Sequence, residues 1–499
     1  MEKEGQIRNR PGERILVIAL VVLFGSGAWV SVSGVWTELP IMISTGLPEQ
    51  YHMTSIVHIL IQFSLVGMIA FLICNKLVAS TRIYRLEIPW NYGITFLGTI
   101  ATFLLIFFWD TRAYVFGELH SVAFLCLVFF VSLVDITSNV TFVGFMSLMK
   151  PNLMNWFWIG EGLGHILPAF VVLIQQSNGK TKSCVVNDTY LNETVVGNST
   201  VMYNCTSWEE VAPQLLFEPK EYFVVLFLMM LACHISFICL NNLPCSRREY
   251  VPQADGHHLR TDGCGGLFKQ SETLSADEED GDRVRLMSVV GSHEDGSPNA
   301  PDEENDNSGN DLAEQHLTKG QVVFLYTVFF INFTLSFGIM GPILGFSGSA
   351  YGNDTFEILV PMQEIAIAVA YFLFLLKPIY SFKVVAGSLL LAIACYTYDF
   401  VVAAASPNPP FYSIIFGKIY IVLNAVTRGL SSRYCHASTV WILRNSADSR
   451  RHLIVSAAIG QVGVFIGSVT MFVLINVFNV FESHHETKSC PSFTCSMME

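Results

Sequence analysis

Eleven stretches of about 20 predominantly apolar residues constrain this chain more than any other feature. They run near 15–36, 54–74, 91–109, 121–146, 156–176, 222–242, 320–341, 356–376, 384–405, 411–430 and 453–478. A helix of that length spans the hydrocarbon core of a bilayer. Inside lipid every backbone N–H and C=O must be paired within the protein, so each run is expected to be a transmembrane helix. The expected fold class is therefore all-α and polytopic. Composition agrees: 14% of the 499 residues are charged and the mean hydropathy is +0.47, against roughly 25% charged in soluble proteins. The first run follows Arg8, Arg10 and Arg14, lacks a small-residue cleavage site and is long enough to span, so it is read as a retained helix.

Sidedness follows from two signals. The loop 177–219 carries four N-x-S/T sequons, at Asn187, Asn192, Asn198 and Asn204, which marks it as exterior and glycosylated. A fifth, at Asn353, lies two spans later and so on the same side. Counting back puts the N-terminus in the cytoplasm, where Lys3, Arg8, Arg10 and Arg14 satisfy the positive-inside rule. The same parity puts Lys76, Arg82, Arg85, Lys377, Lys383, Arg433, Arg444, Arg450 and Arg451 inside and the tail 479–499 outside. Cys184 and Cys205 share the exterior loop, and Cys490 and Cys495 the tail, so each pair is a candidate for a disulfide or for two free thiols, the tail pair favouring free thiols.

The formal net charge of −13 is concentrated in one segment. Residues 244–318 hold 17 Asp and Glu against 6 Lys and Arg, with too few apolar side chains to offset ordering entropy, so this stretch reads as a disordered cytoplasmic linker. Ser275 and Ser292, each followed by acidic residues, are phosphorylation candidates. The expected organisation is a cytoplasmic N-terminus (1–14), a six-span bundle (15–243), the linker, a five-span bundle (319–478) and the extracellular tail. The segment "YCHASTVWILRN" within 431–452 is amphipathic and is expected to lie along the membrane surface.

Polar residues inside spans are costly and usually face a cavity, which makes transport the natural use of such a scaffold. Span one closes on "SGVWTELP", where Trp36 offers a stacking face, Glu38 an acceptor or proton carrier, and Gly34 and Pro40 a bend; Trp36 and Glu38 also suit an interfacial belt. Span four carries Asp135, Thr137, Ser138, Asn139 and Thr141 among phenylalanines. Asp135, Ser138, Asn139 and Phe142 share one helical face, which would line a cavity or bridge helices at about 0.6 kcal/mol per bond. In span five, Glu161 and His165 are i and i+4 and suit a proton relay, while Gly160, Gly162 and Gly164 suit close helix packing. Further candidates are Asn332, Thr334, Ser336, Gln363, Glu364, Tyr396, Tyr398, Asp399 and Gln461. Phosphate-binding loops, dinucleotide glycine patterns, metalloprotease and nucleophile-elbow motifs do not occur, so no enzyme activity, cofactor, metal site, ATP drive or nucleic-acid partner is expected.

The stretches "SGVWTELP" (33–40), "LHSVAFL" (119–125), "SNVTF" (138–142), "GEGLGHILP" (160–168) and "GQVGVFIGSVTMF" (460–472) resemble the animal riboflavin transporters in order and spacing. That resemblance implies eleven spans with a long variable loop after the sixth, and plasma-membrane uptake of riboflavin. It also implies a fold similar to equilibrative nucleoside transporters and major-facilitator proteins. The substrate is uncharged and flat, and the expected contacts are Trp36, Phe142 and Phe145 as faces, with Glu38, Ser138, Asn139, Thr141, Glu161, Asn332 and Ser336 as hydrogen-bonding groups. Glu38, Asp135, Glu161 and His165 are the proton-coupling candidates. A carrier of another flat polar solute, such as a nucleoside or pterin, and a non-transporting receptor are the alternatives.

Overall fold

The structure is a computed structural model that describes residues 11–78, 86–115, 117–178, 183–196, 199–211, 215–251, 317–377, 381–412, 414–446, 449–482 and 493–497. Residues 252–316 of the expected linker 244–318, with Asn198 and Cys490, lie outside the described residues, whereas residues 244–247 are helical instead of disordered. The first half contains α1 (Pro11–Ser26), α2 (Val30–Ser44), α3 (Met53–Phe63), α4 (Leu65–Val78), α5 (Glu87–Phe108), α6 (Val122–Met146), α7 (Pro151–Gln175), α8 (Pro219–Asn242) and the short α9 (Pro244–Arg247). The second contains α10 (Lys319–Phe333), a π-helical turn (Thr334–Ile339), α11 (Met340–Ser349), α12 (Asn353–Leu376), α13 (Phe382–Ala404), α14 (Ile415–Arg444) and α15 (Ser449–Asn476). The all-α polytopic class is as expected. Among the described residues nine helices are long and apolar enough to cross a membrane, or ten with the bent pair α1–α2. Their outer faces stay apolar, with Leu77, Leu376 and Leu390 each more than 60% exposed, which suits lipid rather than water.

Three spans are interrupted. Span one bends by 51° between α1 and α2, at Gly27–Trp29 rather than at Pro40, which sits inside α2. Span two breaks at Ser64 between α3 and α4, and span seven passes through the π turn, an irregularity that often marks functional sites. The glycines of α7 do pack closely: a Cβ on Gly160 would meet the Val22 carbonyl oxygen, and one on Gly164 would meet that of Ser26. On α1, Gly25 accepts the Phe157 carbonyl in the same way, so α1 and α7 touch backbone to backbone.

Two expectations change. The stretch 431–444 does not lie on the surface; it continues α14 as one 30-residue helix that buries Arg428, Arg433, Cys435, Ser438 and Thr439. The loop 177–219 also pairs differently from the Cys184–Cys205 expectation. Its strands β3 (Ser183–Val196) and β4 (Ser199–Val211) are antiparallel, with Cys184 opposite Glu210 and Cys205 opposite Tyr190. Five register steps, about 17 Å of strand, separate the two cysteines, beyond disulfide reach. Cys205 is disulfide-bonded, and the tail strand β5 (Phe493–Met497) pairs with β4 in a register that sets Cys495 opposite it. A small hairpin, β1 (Ala113–Val115) with β2 (Glu118–His120), joins α5 to α6.

Candidate functional site

The bend between α1 and α2 frees backbone groups that need partners, and α6 supplies them. Asp135 accepts from the Ser31 hydroxyl (2.6 Å) and the Val32 amide (2.8 Å), placing a carboxyl group over the unpaired amides at the N-terminus of α2. Ser138 donates to the Ala28 carbonyl at 3.1 Å, the far side of the same break. Asp135 and Ser138 therefore hold the bend instead of lining a cavity. Thr141 donates back to the Thr137 carbonyl, and its own carbonyl accepts from Asn91 at 3.1 Å, a helix-to-helix tie. Phe142 stacks on Phe24 at 4.1 Å, and Phe145 meets Phe24 and Phe237 at 5.6 and 5.0 Å. Both rings are fully buried in that cluster, with no face left for a ligand. Asn139 differs from these neighbours, being exposed. It lies nine residues, two and a half turns, from the exposed Phe130, so it points to the opposite side of α6.

Trp36 and Glu38 also part company. Two helical residues are about 200° apart, so the two side chains point to opposite sides of α2. Trp36 presents its edge to His58 of α3 with ring centroids 4.7 Å apart, and His58 lies against Gly341 of α11, where a Cβ would strike its Nε2. Glu38 turns toward α7 and accepts from Gln175 Nε2 at 3.0 Å; its Oε2 has no partner. Beside it, Gln176 donates to the Glu357 carbonyl of α12 at 3.2 Å.

At mid-depth α2, α7 and α12 meet through one imidazole. His165 Nδ1 lies 2.8 Å from Ser33 Oγ and 2.8 Å from Glu364 Oε2, with the Trp29 ring stacked 6.1 Å away. The relay expected between Glu161 and His165 is thus redirected: His165 bridges to α12, and Glu161 faces Arg433 of α14. Arg433 in turn sits over the Phe337 ring at 4.6 Å. A second buried centre joins α12, α13 and α14. Arg428 bonds to Asp399 and to Gln363, Asn424 donates to Asp399 at 2.9 Å, and the Tyr396 ring lies 5.8 Å from the guanidinium. Asn332 forms a two-way clamp with Ser432, at 2.9 and 3.2 Å, and Ser336 reaches the Tyr396 phenol.

Arg428, Arg433, His58, Gln62 and Gln175 were not among the candidates read from sequence. Arginines interrupting a run that must otherwise span are the signal for the first two. Among the described residues no cluster of three or more His, Cys, Asp or Glu suits a metal ion.

Interrupted helices meeting around buried polar groups, in a polytopic all-α chain without a nucleotide-binding domain, define a solute carrier. Residues 13–483 match the family model described as "Solute carrier family 52, riboflavin transporter", and the chain belongs to that family. It is 28% identical over 474 residues to "Riboflavin transporter 2" of Salmo salar, which covers 94% of this chain and 97% of that protein. Human "Solute carrier family 52, riboflavin transporter, member 3" is 27% identical, with 94% and 97% covered. "Riboflavin transporter rft-1" of Caenorhabditis elegans is 25% identical, with 95% and 99% covered.

Proposed function

We propose that this chain carries riboflavin into cells across the plasma membrane by alternating access, its two halves rocking about the His165–Glu364 contact. Family membership over nearly the whole chain supports the substrate. The distribution of bonds between the halves supports the mechanism. At the end bearing the β-sheet, Tyr51 bonds to Asn353, Thr54 donates to the Pro342 carbonyl at 2.8 Å, and Asn476 donates to Ser55 at 2.6 Å. These side-chain bonds tie α3 and the turn before it to α11, α12 and α15, so the extracellular end is closed. Asn139, toward the other end of α6, is open. This is an inward-facing arrangement.

Strand pairing supports eleven crossings. Because β5 bonds to β4, the loop and the tail share one side of the membrane, which requires an even number of crossings between them. α8, α10–α11, α12, α13 and α15 make five; α14 makes the sixth, with Arg428 and Arg433 paired inside. The exterior then carries the Asn187, Asn192 and Asn204 sequons, whereas Asn353 is held by Tyr51 in the packed extracellular end. Labelled riboflavin uptake by cells expressing the chain tests the reading. Competition by lumiflavin but not by uridine or folate is expected; inhibition by uridine would favour a nucleoside carrier, and binding without accumulation would favour a receptor.

A further inference from the structure

On α3, His58 and Gln62 are i and i+4 and therefore share a face. Both are more than nine-tenths buried, at 7% and 5% exposed. Yet His58 Nδ1 and Gln62 Oε1 each lack any hydrogen-bond partner. A buried polar atom left unpaired costs about 1–3 kcal/mol, and neither of these atoms caps the break of span two at Ser64, two residues beyond Gln62. The residues around them are arranged for them. Trp36 sets its edge against the His58 ring, and Gly341 is the residue without a side chain that lets the imidazole sit against α11. The closed extracellular end lies directly above, at Thr54 and Tyr51.

We infer that His58 and Gln62 read the imide edge of a flat heteroaromatic substrate that lies beside Trp36 when the carrier is loaded. This rests on the riboflavin reading above and adds the group on the substrate that is recognised. The pyrimidine-dione edge of the flavin ring presents carbonyl, N–H, carbonyl. A glutamine amide carries an acceptor and donors side by side, so Gln62 accepts from the ring N–H through Oε1 and donates to a neighbouring carbonyl through Nε2. His58, in the tautomer with its proton on Nδ1, donates to the substrate as well. Both are neutral groups meeting an uncharged ring, so loading brings no net charge into the membrane interior. Selectivity arises because an analogue without the N–H leaves Gln62 Oε1 buried and unpaired.

The test compares riboflavin with 3-methylriboflavin, in which a methyl group replaces the imide hydrogen. Each competes against labelled riboflavin uptake by the full-length chain, with surface protein quantified. The wild type is expected to favour riboflavin by roughly tenfold or more, the size of one buried hydrogen bond. Gln62→Met is expected to weaken riboflavin and bring the two flavins within about threefold, whereas His58→Phe should weaken both flavins together; Gln62→Asn, which restores an amide on a shorter stem, should regain part of the preference. Equal competition by the two flavins in the wild type overturns the inference, and that arm needs no variant to fold. Full preference retained by Gln62→Met, or unweakened riboflavin competition in His58→Phe, at normal surface level also overturns it. Absence of riboflavin uptake by the wild type would instead overturn the proposed function itself.

Discussion

Asp135 offers the sharpest separation between a fold residue and a transport residue. It is fully buried on α6 and accepts the Ser31 hydroxyl and the Val32 amide at the start of α2. Asp135→Ala removes both acceptors at once. Removing the acceptor of a buried hydrogen bond costs about 1–3 kcal/mol, because the donor left behind stays buried and unpaired. Discounting for non-additivity of bonds that share one carboxylate, the expected loss is about 3–5 kcal/mol. Asp135→Asn keeps one acceptor oxygen, and because its amide nitrogen cannot accept, about half the loss is expected. Detergent-solubilised protein, followed by the temperature at which it ceases to elute as a monodisperse peak, reads the effect. The order wild type, Asn, Ala is expected in thermal stability, with uptake per surface molecule in Asp135→Asn falling no more than its stability predicts. A proton-coupling carboxylate behaves oppositely. If Asp135→Asn is as stable as wild type yet loses accumulation, the capping argument is refuted.

The Arg428–Asp399 pair lies 2% and 1% exposed in the second half, and breaking such a pair by removing one partner costs about 3–5 kcal/mol. Arg428→Gln and Asp399→Asn should each lower the folded yield, and the double variant should recover much of it; a double variant worse than either single one refutes the pairing. Gly160→Ala pushes a methyl group into the Val22 carbonyl, and since backbone cannot step aside it should abolish surface expression, whereas Gly387→Ala, where nothing lies within 4 Å, should be silent. Glu38→Gln keeps an acceptor for Gln175 and so should fold normally. If Glu38 carries the coupling proton, wild-type uptake rises toward acid while Glu38→Gln is flat from about pH 5.5 to about pH 8, and a pH profile unchanged by the substitution removes Glu38 from that role.

Hydropathy made most of the helices legible because each run is long, apolar and independent of the rest of the chain. The continuation of α14 beyond residue 430 was not, and the reason is physical. Arg428 and Arg433 depress the apolar signal, and the groups that compensate them, Asp399, Gln363 and Glu161, arrive from other helices. A window of about 20 residues cannot register a partner 29 or 65 positions away. The α1–α2 bend has the same character: "FGSGAW" advertises a weak point, but its cap lies 104 residues on. The opposed directions of Trp36 and Glu38, in contrast, follow from helical periodicity alone once the helix is known to run unbroken through Pro40 to Ser44.

A count of partners then separates the buried polar residues into two groups. Asp135, Ser138, Asn332 and Ser432 have partners in the protein, at the bend and between α10 and α14; their bonds are made whether or not anything is carried. Glu38 Oε2, His58 Nδ1 and Gln62 Oε1 belong to a second set that is open among the described residues, together with Asn91 Oδ1, Thr137 Oγ1 and His436 Nδ1 among others. In a lipid-surrounded interior an open polar atom gains nothing from bulk water, so its cost is met only when something else supplies the partner. A pumped or facilitated solute does so for part of each cycle. The second group, though less conspicuous in the sequence than the polar island of span four, is the one our proposal assigns to substrate recognition.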